Sequence, residues 1–473
     1  MAAALDPLRS PVIAQELPGL RRALDPAFAG ARLAELLAAG YELQRCVPGK
    51  ALYTPGEGCT VRYQLQLRES ASGRRVDRLV GGRLFADPPD AAAYVRDRLE
   101  PLAARAGRRR DLVPFARPVA LVEPLRLGLH VFPLDGDLPS LLEATDSRLM
   151  TPVLRDALDG ALAVEGCRVE LVQYARRGRC VLRYHLDGRA AGDGHAARQV
   201  VYGKLHADGQ GEQAAAVASG LRQHFHAAGV RVTVPRTLDY RPDLRLALLE
   251  AVPGTPQVVP LVRERLAGRA GADPALTAVV AECARIAAAV HGSGLQLGTP
   301  RTLNDEIGAV RRDLAPIERA APLLGPRLAA VLAEAETLGA GAGALPAGFA
   351  HGDLTPAQVL SDRGRFSLID FDAACQAEPA LDLGQFLAYL RVAVGKAETA
   401  AERQPGGLAE ELATTFLDAY AEAAGVADTD APRRRTAAFE SVSLARIAIR
   451  SWHQLKAARL RAVLAAIDQR APC

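Results

Sequence analysis

The sequence predicts an α+β protein: a small β-rich unit that occurs twice, followed by one larger helical unit. Three observations point there. The chain of 473 residues aligns with itself when shifted from Cys46 to Cys167, 121 positions on. Each copy carries the period-two alternation of half-buried strands. Beyond residue 256 the apolar spacing changes to the three-and-four rhythm of amphipathic helices.

The duplication needs no gap from residue 46 to 114. Cys46 meets Cys167, Tyr53 meets Tyr174, Cys59 meets Cys180, and Arg62-Tyr63 meets Arg183-Tyr184. Further on, Gly82, Leu84 and Asp87 meet Gly203, Leu205 and Asp208, and Val113-Pro114 meets Val234-Pro235. The period is too long for a solenoid, so one domain of about 110 residues is present twice. In the second copy, segments 169–175 and 180–186 form a hairpin around a Gly-containing turn at 176–179, and 199–206 is a third strand. The Ala-rich run 212–228 reads as a helix closed by Gly229, and 230–235 and 245–250 supply two more strands. The order is β-β-β-α-β-β, repeated in the first copy from about 45 to 133. Helices are predicted from Pro274 to a stop at Gly292 and Gly294, and over 381–394, 408–424 and 437–467. The expected division is 1–150, 151–255 and 256–473.

Composition narrows the class. Apolar residues make up 49% and charged residues 24%, which excludes a disordered, collagen-like or disulfide-framework chain. A net charge of +4 gives no electrostatic case for nucleic acid. No apolar run approaches the ~20 uncharged residues of a membrane span, and Asp6 and Pro7 interrupt any signal-peptide core. Seven widely spaced cysteines without a CxxC pair read as reduced thiols, so a cytoplasmic protein is expected. Of 58 basic residues only Lys50, Lys204, Lys396 and Lys456 are lysine, which makes a well-placed lysine informative.

Residues 349–386, FAHGDLTPAQVLSDRGRFSLIDFDAACQAEPALDLGQF, carry the chemistry. Two short strands, 358–361 and 365–370, flank the turn residues Asp362-Arg363-Gly364. A hairpin brings its open ends together, so Gln358 and Asp370 are neighbours. Asp353 and His351 lie in a loop at the same end. Carboxylate and amide oxygens suit Mg²⁺. A further carboxylate off the metal suits a group that orients a hydroxyl and takes its proton.

HGDLTPAQ followed by LIDFD resembles the catalytic core of the aminoglycoside phosphotransferase family, the small-molecule branch of the protein-kinase-like fold that includes choline kinases and maltokinases. The family pattern is H-G-D-x-x-x-x-N, then I-D-[FW]. The resemblance spans roughly residues 155–425. It implies a bilobal kinase-like fold with a duplicated N-lobe and one helical C-lobe. It implies ATP and Mg²⁺ as cofactors, and phosphorylation of a hydroxyl on a small-molecule acceptor, with no nucleic acid or membrane partner. Asp353 becomes the catalytic base and Asp370 the metal-binding aspartate. Gln358 takes the place of the metal-binding Asn, one methylene longer. EPALDLGQF resembles the segment after the metal site, where Asp382 is structural, and His351 and His291 are expected to brace loops. Lys204, in VYGKLHAD, stands where the family holds the nucleotide phosphates, as a compact ammonium can. Glu212, opening the next helix, could pair with it. The turn bearing Gly178 would lie over the triphosphate, and the hinge-like ALLEAVPGTP would meet the adenine edge near Glu250 and Val252.

The first copy has Arg83 in place of Lys204, Glu57 in its turn, and no HGD of its own. It resembles the maltokinase cap, read either as a wall of the substrate cleft or as a packing or dimerisation module; only the second copy is expected to bind nucleotide. Two rival readings are a pseudokinase disabled by Gln358 and a kinase acting on a protein. Residues 430–473 hold nine Arg or Lys against Asp430, Glu440 and Asp468. That excess favours a neutral or anionic acceptor, a sugar or sugar-like alcohol, over a polycation, unless Asn304, Asp305, Glu306 and Asp313 form an acidic wall.

Overall fold

In the computed structural model, residues 5–107, 109–174, 178–191, 194–207, 211–403 and 406–470 are described. Two antiparallel sheets of matching construction lead the chain. The first holds β1 (Tyr41–Pro48), β2 (Leu52–Thr54), β3 (Gly58–Glu69), β4 (Arg75–Leu84), β5 (Val119–Val122) and β6 (Leu127–Val131), in the order β1-β3-β4-β6-β5 with β2 on β3. The second holds β7 (Leu162–Tyr174), β8 (Arg179–Ala190) and β9 (Ala196–His206). It is completed by β11 (Thr237–Arg241) and β12 (Leu246–Glu250), in the order β11-β12-β9-β8-β7; β10 (Val232–Thr233) lies outside it.

The duplication is preserved down to the register. Cys59 faces Leu84 in the first sheet, and Cys180 faces Leu205, their counterparts, in the second. It also reaches further upstream than the sequence match. Asp25 caps the helix Pro26–Ala34 and Asp146 caps Ser147–Ala157, each carboxylate accepting an N–H at 2.8 Å. The Tyr63 hydroxyl donates to the Ala23 carbonyl and that of Tyr184 to Ala144, both at 2.9 Å. A buried carbonyl that loses its donor costs on the order of 1–2 kcal/mol. Tyr63→Phe and Tyr184→Phe are therefore each expected to lower stability by about that amount in denaturant titrations. A cost confined to one of them would show that the two copies do not use this anchor alike.

Two predicted elements differ, and β11 and two helices are additional. The strand expected at 230–235 is only β10, and it leaves its sheet to pair in parallel with the hairpin of the helical part. Pro235, which has no N–H for a ladder, follows it, and the unforeseen β11 takes the sheet position. The helix expected over 437–467 is two, Asp430–His453 and Ala457–Gln469, broken where Leu455 turns left-handed at φ 56°. Helices Leu303–Ala320 and Gly325–Ala342 were not anticipated; Pro316, Pro322 and Pro326 interrupt their pattern.

In the helical part, β13 (Thr255–Pro256), β15 (Val359–Asp362) and β16 (Arg365–Leu368) join β10 in a small sheet, and β14 (Gly348–Ala350) pairs with β17 (Cys375–Ala377). The β15–β16 turn is Arg363-Gly364, both at positive φ (51° and 79°), the geometry a two-residue hairpin needs. The helix Ala272–His291 is long and apolar enough to cross a membrane, yet Leu276, Val280, Cys283, Ala287 and Val290 lie in the core with Phe386 and Phe416.

Apart from a small cluster of Phe85, Ala91, Tyr94, Val95 and Leu99, the first sheet keeps no core separate from the helices among the described residues. Its apolar face is continuous with helices Leu303–Ala320, Gly325–Ala342, Asp430–His453 and Ala457–Gln469. Tyr53 packs edge-on to Trp452 at 5.6 Å, and His453 Nδ1–H donates to the Tyr53 carbonyl at 2.9 Å. The second sheet keeps a separate core with the helix Ser147–Ala157. The first copy is thus anchored to the last helices of the chain.

Candidate active site

The loop 351–358 owes its shape to two features. Gly352 has φ 76°, and a Cβ there would run into the Ala373 carbonyl oxygen, so only glycine lets the loop pass. Asp382, in the first turn of the helix Ala380–Ala400 and fully buried, accepts the backbone N–H of His351 at 2.7 Å and of Gly352 at 2.8 Å. It also accepts His291 Nε2–H at 3.1 Å, and His291 Nδ1 is hydrogen-bonded to the Tyr420 hydroxyl at 2.9 Å. Burial alone would push the Asp382 carboxyl up. The bonds and charge of His291, followed by His351, overcome it and hold the group below the usual carboxylate range. His351 Nε2–H donates to the Ile369 carbonyl at 3.0 Å, tying this loop to the end of β16. Both histidines therefore brace.

Asp353 emerges from that loop, and Gln385, one turn beyond Asp382, donates to its Oδ1. Burial, then the nearby charge of Asp370, raises the Asp353 carboxyl; His351, Arg450 and the Gln385 bond oppose them. A base so placed loses activity as pH falls through a value above the ordinary carboxylate one. Because the Gln385 bond favours the charged form, Gln385→Leu is expected to move the acid limb of the pH–rate profile to higher pH. An unmoved limb would assign that limb to another group.

Across the cleft, β9 presents Lys204 between Val181 of β8 and Ala247 of β12. Its ammonium bonds to Asp370 Oδ1 and lies 2.8 Å from Asp372 Oδ2. Burial works to depress this ammonium, but the two carboxylates outweigh it and hold the lysine above its ordinary value. Asp370 is likewise pushed up by burial and pulled below its ordinary value by Lys204. It stands at φ 74°, a left-handed conformation rare for a non-glycine residue and concentrated at functional sites. The Gln358 amide donates to Asp370 Oδ2 at 3.3 Å; a half-turn of the amide would present its oxygen instead.

The structure thus brings Asp353, Gln358, Asp370 and Lys204 to one point. Among the described residues no group of three or more His, Cys, Asp or Glu forms a metal cage. Mg²⁺ rarely uses one; one or two carboxylates plus substrate phosphates and waters suffice. Asp370 with the Gln358 oxygen fits that requirement.

One expected pairing is corrected. Glu212 does not reach Lys204: it is exposed in the first turn of Gly211–Ala227, while Lys204 is held by the two aspartates. The next residue, Gln213, donates to the Ala374 carbonyl at 3.3 Å. Of the turn expected over the triphosphate, 175–177 lie outside the described residues. Gly178, at φ 70°, packs against Ala207, whose N–H it accepts at 2.8 Å. Glu250 ends β12 with its carboxylate 3.7 Å from Arg222, and Val252 lies in the crossing segment, where the Pro253 carbonyl accepts the Ser367 hydroxyl at 3.0 Å.

Sequence reading missed Asp372, Gln385 and Arg179. The Asp372 side chain is 6% exposed and lies 3.8 Å from both Arg179 and His206. The second aspartate of LIDFD and the glutamine of DLGQF were the available signals. The acidic wall is also absent. Asp305 is spent on a capping box with Thr302, and Glu306 is buried between Arg301, at 2.7 Å, and Arg446.

A family model described as the phosphotransferase enzyme family matches residues 168–436, more than half of the chain. No curated protein matches it by sequence. Among solved structures, a glucosamine kinase is 18% identical with a TM-score of 0.44, over 93% of this chain and 94% of that one. The choline kinase LicA from Streptococcus pneumoniae is 13% identical with a TM-score of 0.42, over 68% and 99%. An aminoglycoside phosphotransferase from Alicyclobacillus acidocaldarius is 15% identical with a TM-score of 0.42, over 65% and 91%.

Proposed function

This chain belongs to the phosphotransferase enzyme family, and from that premise we propose that it transfers the γ-phosphoryl group of ATP to a hydroxyl of a sugar or sugar-like alcohol. One observation carries the reading: Asp353, bonded to Gln385, lies beside the hairpin mouth where Asp370 is held by Lys204 and Gln358. Asp353 orients the acceptor hydroxyl and takes its proton as the new O–P bond forms. The bond from phosphorus to the bridging oxygen breaks, and its electrons leave with ADP. Lys204 exchanges its aspartates for phosphate oxygens. Asp370 and Gln358 would hold Mg²⁺, which when bound would neutralise charge on the transferring phosphates. Most of the rate then comes from positioning and charge.

Residues 151–255 act as the nucleotide lobe, 256–473 as the acceptor lobe and 1–150 as a cap. In the cap, Arg83 is paired with Asp137 at 3.2 Å, so its counterpart position offers no ammonium to a nucleotide.

The test is ADP release by the full chain with Mg²⁺-ATP across sugars, amino alcohols and aminoglycosides, alongside calorimetric titration of nucleotide. The expected result is one nucleotide per chain and release stimulated by a sugar-like acceptor. Nucleotide binding with no stimulated release would instead support a pseudokinase. Two nucleotides per chain would sink the cap assignment.

A further inference from the structure

Beside Asp353 lies a cavity of about 310 Å³, and its far wall is arginine. Arg301, Arg446 and Arg450 line it together with Glu306, Gln385 and Tyr389. Arg301 and Arg446 share a single carboxylate, Glu306. Arg450 donates to the Tyr389 hydroxyl at 3.1 Å; its charge acts on Asp353, but it makes no ion-pair contact with a carboxylate among the described residues. Arg446 and Arg450 sit four residues apart on the helix Asp430–His453, where like charges face each other and repel. Among the described residues, Asp353 and Glu306 are the only carboxylates on the lining, and Glu306 is already doubly neutralised. A cation entering here would meet uncompensated guanidinium charge. An anionic oxygen group would relieve it, and the guanidinium fork matches carboxylate and phosphate geometry.

We infer that the acceptor carries an anionic group, a carboxylate or a phosphate monoester, which Arg450 and Arg446 hold while its hydroxyl lies at Asp353. This rests on the phosphotransferase reading and deepens it: the acceptor is a sugar acid or sugar phosphate rather than a neutral or amino sugar. The chemistry at the hydroxyl is unchanged, with the proton passing to Asp353 and ADP leaving. Arg446 and Arg450 are specificity residues on the wall of the cavity that Asp353 also lines.

The experiment uses the full chain and four matched ligands: D-glucose, D-glucosamine, D-glucuronate and D-glucose 6-phosphate. Each is measured by calorimetric binding and by Mg²⁺-ATP turnover. At least one anionic ligand is expected to bind about tenfold or more tighter than glucose and glucosamine. That advantage weakens as salt is raised. Glucuronate against glucose 6-phosphate tells carboxylate from phosphate recognition. Arg450→Gln is expected to cut the anionic-over-neutral ratio about tenfold, and Arg450→Lys to restore part of it. Glucose or glucosamine binding as tightly as both anions, a preference untouched by salt and by Arg450→Gln, or no binding of either anion would each overturn the inference. An anion bound in an Arg450-dependent way without ADP release would keep it and defeat the phosphotransferase reading. Equal turnover of all four would do the reverse.

Discussion

Asp353→Ala is expected to lower acceptor phosphorylation by roughly a thousandfold or more, with nucleotide affinity nearly unchanged. General-base removal costs about 10²–10⁴ in rate, and Asp353 also orients the hydroxyl, so the upper part of that range applies. Nucleotide affinity survives because Asp353 does not touch Lys204, which is held by Asp370 and Asp372. Asp370→Ala should invert the pattern, weakening Mg²⁺-nucleotide binding itself. Turnover and calorimetric titration on the same preparations separate the two. Near-normal turnover by Asp353→Ala with its best acceptor would remove it from the role of base. Gln385→Ala offers a control, since it strips a bond from Asp353 while leaving the carboxylate in place.

Asp382→Ala is expected to cost about 3–5 kcal/mol of stability, the range for removing one partner of a buried charged pair. Asp382 is wholly buried and accepts two backbone N–H groups and an imidazole. Its loss leaves all three donors dry and frees the loop that carries Asp353. Asp382→Asn keeps the shape and one acceptor oxygen, so its cost should fall between that of the wild type and Ala. Because the folded-state carboxyl is held below its ordinary range, its contribution is complete above the unfolded carboxylate pKa, near 4. It is lost as pH falls through the lower folded value. The acid limb of the stability curve should therefore flatten in Asp382→Asn. Thermal unfolding across acidic pH measures both effects. A wild-type-like midpoint in Asp382→Ala would show that the loop is held by other contacts.

What the sequence by itself determined was local or repeated. The Asp362-Arg363-Gly364 turn places Gln358 and Asp370 at one hairpin mouth whatever surrounds them, because strand geometry alone closes that distance. The HGD spacing brings Asp353 to the same end, and the repeated Cys and Tyr positions announce the second sheet's register in advance. Each of these depends on covalent neighbours a few residues apart, or on a pattern copied within the chain. The tertiary structure alone decided which partner crosses the cleft. Lys204 meets Asp370 and Asp372 rather than Glu212, because the first turn of Gly211–Ala227 leaves Glu212 in solvent. Likewise β10 goes to the hairpin instead of its own sheet, and the first sheet shares its core with helices more than 170 residues away in the chain. The arginine wall is of the same kind: Arg301, Arg446 and Arg450 converge on one cavity only once distant helices have packed. Apolar periodicity says that a helix face is buried, but which face it meets is settled by shape and charge complementarity between elements far apart in the chain, and no local spacing encodes that.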